Sequence, residues 1–293
     1  MFINKFKKSI IAAALLVSCG AQADMVKVYY NDFSDTSELQ LNGEASVNTP
    51  NAANELSLTS GGLNEAGSAF SLTSFTLPDD ASFSAFFSFN MVTEDGVGAI
   101  GNEVNTDGYG GDGLTFTLQT VSNTAGSQGG GLGYNGLDSS VGIEFDTWNN
   151  ENFSDISDNH AGINLDGSME SLVSVNEDIN FNNGDSWYVW VDYDGYDDLL
   201  SVRYSLYPSR PEFSSLSYTV DLVEIFNSND VYVGFTGSSG GAAQTHNIEQ
   251  FAFENQYVTL VEQGSVADVN ANGGFGALLG AGLITLGLRR RKK

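Results

Sequence analysis

Cysteine is almost missing from this 293-residue chain, and its one example, Cys19, lies close to the N-terminus. No disulfide can brace the remainder, so stability there must come from the core and from any bound metal. Proline is scarce too, at four residues, and no proline-rich stretch separates two folded bodies. Positive charge is the third shortage. Of the 11 Lys and Arg, Lys5, Lys7 and Lys8 sit at the start, and Arg289, Arg290, Arg291, Lys292 and Lys293 at the end. Only Lys27, Arg203 and Arg210 lie among the 37 acidic residues between them, which leaves that stretch at -34. Such a field repels nucleic acid and anionic membranes and attracts cations. Long helical periods are also missing. Plentiful instead are glycine (34 residues) and aromatics (12%), in short apolar runs separated by Ser, Thr, Asn and Asp. With 41% hydrophobic residues the chain can bury a large core, which excludes disorder as its main state and favours an all-β fold.

The two ends look like addresses. A basic stretch at Lys5 to Lys8, an apolar run from Ile10 to Val17 and Ala21-Gln22-Ala23 form a secretory signal peptide over residues 1–23. Leu16-Val17-Ser18-Cys19 also resembles a lipoprotein cleavage site, so the cut falls after Ala23 or before Cys19. At the other end, Gly273-Gly274 precedes an apolar run from Phe275 to Leu288 and then the basic terminus. As a helix that run measures about 21 Å, short of the roughly 30 Å hydrocarbon core. Residues 273–293 resemble the GlyGly-type C-terminal sorting signals of Gram-negative bacteria, which implies processing near Gly273 and delivery to the cell surface or the medium. A plain membrane anchor is the alternative. Residues 263–272 read as a linker.

Residues 24–262 form one body of short alternating segments at the spacing of a β-sandwich. From Ala81 to Asn90, Phe83, Ala85, Phe87 and Phe89 alternate with polar residues, Phe86 being the exception. Leu114 to Leu118 does the same. Trp187 to Tyr193 and Leu200 to Ser205 read as a hairpin about Asp194-Gly195, and Val231 to Phe235 and Ile248 to Phe253 supply later strands.

The stretch that carries chemistry is Val141-Gly142-Ile143-Glu144-Phe145-Asp146-Thr147-Trp148-Asn149-Asn150, followed by Asp155 and His160. A period of two puts Glu144, Asp146 and Trp148 on one face, with Ile143 and Phe145 on the other. Two carboxylates so placed repel unless a cation lies between them. The following loop can return Asn150, Asp155 and His160 to the same point. Oxygens of Asp146, Asn150, Asp155 and a backbone carbonyl suit calcium, whereas Glu144 and His160 beside the aspartates suit a transition metal such as manganese.

This pattern resembles the metal-binding segment of legume-type (L-type) lectins. The resemblance implies a concanavalin A-like jelly-roll β-sandwich. It assigns Glu144, Asp146, Asp155 and His160 to the transition metal, and Asp146, Asn150, Asp155 and the main-chain oxygen of Trp148 to calcium. Gly111-Asp112-Gly113-Leu114-Thr115-Phe116 is similar to the family segment whose Asp accepts two sugar hydroxyls after a cis peptide bond that calcium holds. Gly129 to Gly133 resembles the loop that gives a backbone N–H to the sugar, with Gly130 or Gly131 in register. The same resemblance has Asn150 donate its amide, Trp148 lay its ring on the pyranose, and Gly241 and Ala242 contribute N–H groups from a closing loop. His246 falls at a common family histidine and reads as structural.

The implied function is an exported, metal-dependent lectin that binds glycans, mannose or glucose being the family-level expectation, and that could form a homodimer. Two departures stand out: only 11 residues separate Leu132 from Glu144, and Ala242 offers no bulky side chain to select a sugar. A structural adhesin with a degenerate sugar site is one alternative. A glycoside hydrolase on the same sandwich is another, but Trp148 occupies the position where an alternating catalytic strand needs its acid/base.

Overall fold

The computed structural model describes residues 27–49, 53–93, 110–124, 129–258 and 260. The expected signal peptide, linker and sorting signal lie outside the described residues. In chain order the strands are β1 Lys27–Tyr30, β2 Leu39–Gly43, β3 Ser46–Asn48, β4 Glu55–Ser60, β5 Ala66–Ser71, β6 Phe75–Thr76, β7 Phe83–Val92, β8 Gly113–Gln119, β9 Ser140–Asp146, β10 His160–Leu165, β11 Val173–Asn176, β12 Trp187–Asp194, β13 Leu199–Ser205, β14 Leu216–Thr219, β15 Asp230–Ser238 and β16 Thr245–Glu254. The short helix α1, Leu222–Phe226, is capped by the Asp221 carboxylate, which accepts from the amides of Val223 and Glu224.

Two eight-stranded sheets result. The first runs β14-β13-β12-β7-β16-β4-β3, with β1 also on β16, and the second runs β11-β10-β9-β8-β15-β5-β2, with β6 also on β15. Every pairing between these strands is antiparallel. The expected strands and hairpin are all present: β7 starts at Phe83 and ends at Val92, shifted two residues from the expected Ala81 to Asn90, and the others extend by one to three residues at one or both ends.

Aromatic side chains fill the space between the sheets. Phe83, Ala85, Phe87 and Phe89 of β7 join Phe116, Phe145, Phe235 and Phe251 in one cluster. Phe87 stacks on Phe116 at 5.3 Å between ring centroids and meets Phe235 edge-on at 5.1 Å, and Phe89 lies 4.8 Å from Phe145. Each buried ring contributes about 1.5–3 kcal/mol by leaving water, with about 0.5–1.5 kcal/mol more for a good aromatic pair. The exception in the β7 pattern has a cause. Phe86 points to the outer face, where it pairs with Trp190 of β12 and is covered together with Ala252. Beside it, Asp192 accepts hydrogen bonds from Arg203 (3.2 Å), Arg210 (2.5 Å) and Ser84 (2.9 Å). Two of the three basic residues of the central stretch are thus used on one buried carboxylate.

Candidate functional site

Strand β9 delivers the two acids. Ile143 and Phe145 face the core, so Glu144 and Asp146 face away from it, and both are buried all the same. The register of β10 then decides what meets them. His160 lies opposite Asp146, and Gly162 lies opposite Glu144. A side chain at Gly162 would run into the Glu144 carboxylate and the Ser171 hydroxyl, so the glycine keeps that space open. Glu144 accepts hydrogen bonds from Asn164 Nδ2 at 2.5 Å and from the Ser171 hydroxyl. Neither partner is evident from sequence, because each reaches Glu144 only through this register and the turn before β11.

The loop after β9 turns back as expected, although Trp148 is not on the strand face. β9 ends at Asp146, whose Oδ1 accepts the amide of Trp148 at 2.7 Å and turns the chain out of the sheet. A 3-10 turn at Glu151–Phe153 follows, and Asp155 Oδ2 accepts the amide of Asn150 at 2.6 Å. Ligand atoms of Asp146, Asp155 and His160 consequently lie within 4.8 Å of one another. His160 Nδ1 donates to the carbonyl of Ser157 at 3.0 Å, which turns Nε2 towards Glu144 Oε1, 3.5 Å away.

Burial and mutual repulsion dominate the electrostatics of this cluster. Burial, then Asp155 and Glu144, hold the Asp146 carboxyl well above the usual range. Asp155 is pushed up to about 6, chiefly by burial, against a lowering effect from the Asn150 amide and His160. Burial disfavours a charged His160, yet hydrogen bonding to Glu144 and the charges of Glu144 and Asp155 outweigh it and raise its pKa. Among the described residues Asn150 Oδ1 has no hydrogen-bond partner, and it is buried. A buried oxygen with no donor beside crowded carboxylates fits a divalent cation.

Next to the cluster, four segments converge. The Gly111–Asp112 peptide bond is cis. Asp112 is 5% exposed; its amide donates to Ser238 O at 3.0 Å, and its carbonyl accepts from Thr147 N at 2.9 Å and Thr147 Oγ1 at 2.8 Å. Gly111 is wedged between the Trp148 ring and Ala242, each 3.3 Å from where its Cβ would stand. Gly130 lies against the Asn150 side chain, and any Cβ there would collide with it, while Gly131 is buried in the 3-10 turn Gly129–Gly131. Trp148 is half-buried, Gly241 exposed and Ala242 buried. From the same loop, Gly240 comes close to Asp112, its Cβ position standing 3.0 Å from Asp112 Oδ2. Ser238 ties the loops together by donating to Gly129 O at 2.6 Å.

The family model for the legume lectin domain matches residues 26–265. The chain belongs to the legume lectin family. The matching family is one of carbohydrate-binding lectins and not of enzymes. Curated relatives include the L-type lectin-domain containing receptor kinase VIII.1 of Arabidopsis thaliana, 33% identical over 192 residues, or 63% of this chain and 25% of that protein. The probable receptor kinase S.7 of the same plant is 35% identical over 191 residues, covering 59% of this chain and 26% of its own length. The lectin chain thus spans about a quarter of the length of these two relatives. Among solved structures, a lectin from Bauhinia forficata in complex with GalNAc is 26% identical with a TM-score of 0.63, covering 78% of this chain and 97% of that one. Peanut lectin, 24% identical, shares the fold with a TM-score of 0.64 over 81% of this chain and 100% of its own.

Proposed function

We propose that this protein is an exported lectin whose sugar site is organised by calcium and a transition metal such as manganese, and which binds glycans without altering them. The observation that carries this reading is the shared use of Asn150. Among the described residues its Oδ1 is buried without a partner, its backbone N–H donates to Asp155 Oδ2 at 2.6 Å, and its side chain borders Gly130. In this reading one side chain serves both a cation and a sugar.

In this reading calcium is held by Asp146, Asn150, Asp155 and the main-chain oxygen of Trp148, and the second metal by Glu144, Asp146, Asp155 and His160. The metals supply positive charge that removes the repulsion among the acids and fixes the loop from Trp148 to Asp155. Asp112 accepts two hydroxyls of the sugar, and Asn150 donates its amide to another. Amides of Gly130 or Gly131 and of Gly241 and Ala242 complete the polar contacts, with Trp148 against the apolar face of the ring. A hexopyranose that offers two adjacent hydroxyls suits Asp112. Mannose and glucose meet that requirement, as do the GalNAc and galactose bound by the Bauhinia and winged bean lectins. The terminal sequences direct the lectin to the surface of a Gram-negative cell or to the medium.

The test is Asp112→Ala on a glycan array beside the parent protein, with calcium affinity and melting temperature measured in parallel. Loss of sugar binding with calcium binding and melting unchanged is the expected result, since Asp112 is an acceptor in the cleft and not a metal ligand. Unchanged sugar binding would remove Asp112 from the site.

A further inference from the structure

Behind Asp112 lies a continuous chain of buried polar groups that crosses from one sheet to the other. Asp112 O accepts from the Thr147 hydroxyl at 2.8 Å, and Thr147 Oγ1 accepts from Gln244 Nε2, also at 2.8 Å. Gln244 Nε2 faces His246 Nε2 at 3.1 Å, His246 Nδ1 lies 2.7 Å from Thr59 Oγ1, and Thr59 Oγ1 donates to Gln244 O at 2.9 Å. Thr59, Thr147, Gln244 and His246 are each 0–1% exposed. Thr59 and His246 belong to β4 and β16 of the first sheet, whereas Thr147 and Asp112 flank β9 and β8 of the second.

With the Gln244 amide as placed, donors and acceptors along this chain match. An amide nitrogen can only donate, so His246 Nε2 accepts and its proton resides on Nδ1. Nδ1–H then donates to Thr59 Oγ1, which leaves the Thr59 proton for Gln244 O. Gln244 Nε2 reaches Thr147 Oγ1 and His246 Nε2, with Met91 Sδ also at 3.2 Å, and the Thr147 hydroxyl donates to Asp112 O. Space for the arrangement is left by Gly110, whose φ is +121° and whose Cβ would collide with Gln244 Oε1.

We propose that Gln244, oriented by His246 and Thr59, is a positioning residue that sets the sugar affinity of Asp112 through the Thr147 hydroxyl. The inference rests on the reading of Asp112 as a sugar acceptor. Its physical basis is that Thr147 grips the Asp112 carbonyl twice, through N–H and through O–H, and that Gln244 donates to the hydroxyl making the second grip. Because the same glutamine belongs to the β15–β16 connection that carries Gly240 to Ala242, the two walls of the cleft share one support. No proposed metal ligand is part of the chain.

The experiment compares the full-length protein with Thr147→Val, Thr147→Ser, Gln244→Met and the Thr147→Val/Gln244→Met double variant. Three quantities are read: dissociation constant for the best array sugar in saturating calcium and manganese, calcium affinity, and hydrogen exchange of the Thr147 amide. Thr147→Val and Gln244→Met are each expected to weaken sugar binding about tenfold by leaving a buried partner unsatisfied. Thr147→Ser restores it, calcium affinity stays unchanged, and the Thr147 amide exchanges faster in Thr147→Val and Gln244→Met. Acting in series, the double variant loses no more than Thr147→Val alone. Sugar affinity unchanged in both single variants overturns the proposal, as does a parallel loss of calcium. Should the parent protein bind no sugar, the lectin reading fails separately. Faster exchange at Thr147 then still supports the positioning of Asp112, and unchanged exchange overturns it.

Discussion

Asp146 is a fully buried carboxylate with Asp155, Glu144 and Asp112 as acidic neighbours. Since its folded pKa is raised, its negative charge costs stability at every pH above the ordinary carboxylate range, until a cation offsets it. The sign of a substitution should therefore depend on metal. Asp146→Asn keeps an oxygen for the Trp148 amide but removes the charge, so in EDTA the variant should melt above the parent protein. In calcium and manganese it should melt below it, because the proposed bridging ligand is gone. Equal ranking of the two proteins in both buffers would contradict this account. His246 supplies a second residue-level test. Burial lowers its pKa to about 3, from 6.5 for a free side chain. Between those values the unfolded chain binds a proton that the folded chain refuses, so stability falls as pH drops from 6.5 towards 3. The slope reaches about 1.4 kcal/mol per pH unit. In a ring NMR titration of the protein's two histidines, His246 should stay neutral down to about pH 4. A midpoint near 6.5 would show that its ring reaches solvent.

Strand β9 joins packing to site on one element. Phe145 packs against Phe87, Phe89 and Phe181 on its core side, between Glu144 and Asp146 on the other. Phe145→Ala should cost about 3–5 kcal/mol of stability. It should also weaken metal binding, since the cavity loosens the strand that aims both acids. Stability lost with metal affinity intact would show the acids to be held by their hydrogen bonds alone. At this scale the sequence was legible where one strand carries the information: period-two alternation revealed β7, β8, β9 and the β12–β13 hairpin. It was silent where two strands must be placed side by side. The approach of Asn164 and Ser171 to Glu144, and the need for glycine at position 162, depend on the β9–β10 register, which the core faces of both strands fix together. The approach of Gly240 to Asp112 was not legible for a similar reason: the loop is held by Ser238 and Ser239 hydrogen bonds to distant segments.

For the molecule as a whole, the central stretch retains three basic residues, two of them engaged by Asp192. Its remaining charge is almost wholly negative, which favours cation uptake, and in the proposed site sugar recognition falls to hydroxyl contacts and the Trp148 ring. Family membership was legible because Glu144, Asp146, Asn150, Asp155 and His160 lie close together in sequence, where spacing alone displays them. The chain from Thr59 to Asp112 was not, since its members come from segments far apart and carry side chains common in any core. The central claim is that metals organise a sugar site. Its most direct measurement is glycan-array binding of this protein in calcium plus manganese, after EDTA, and after the metals are returned. Binding that disappears in EDTA and recovers with metal is the predicted result. Binding that persists in EDTA, or no binding by protein shown to be folded and metal-loaded, would contradict it.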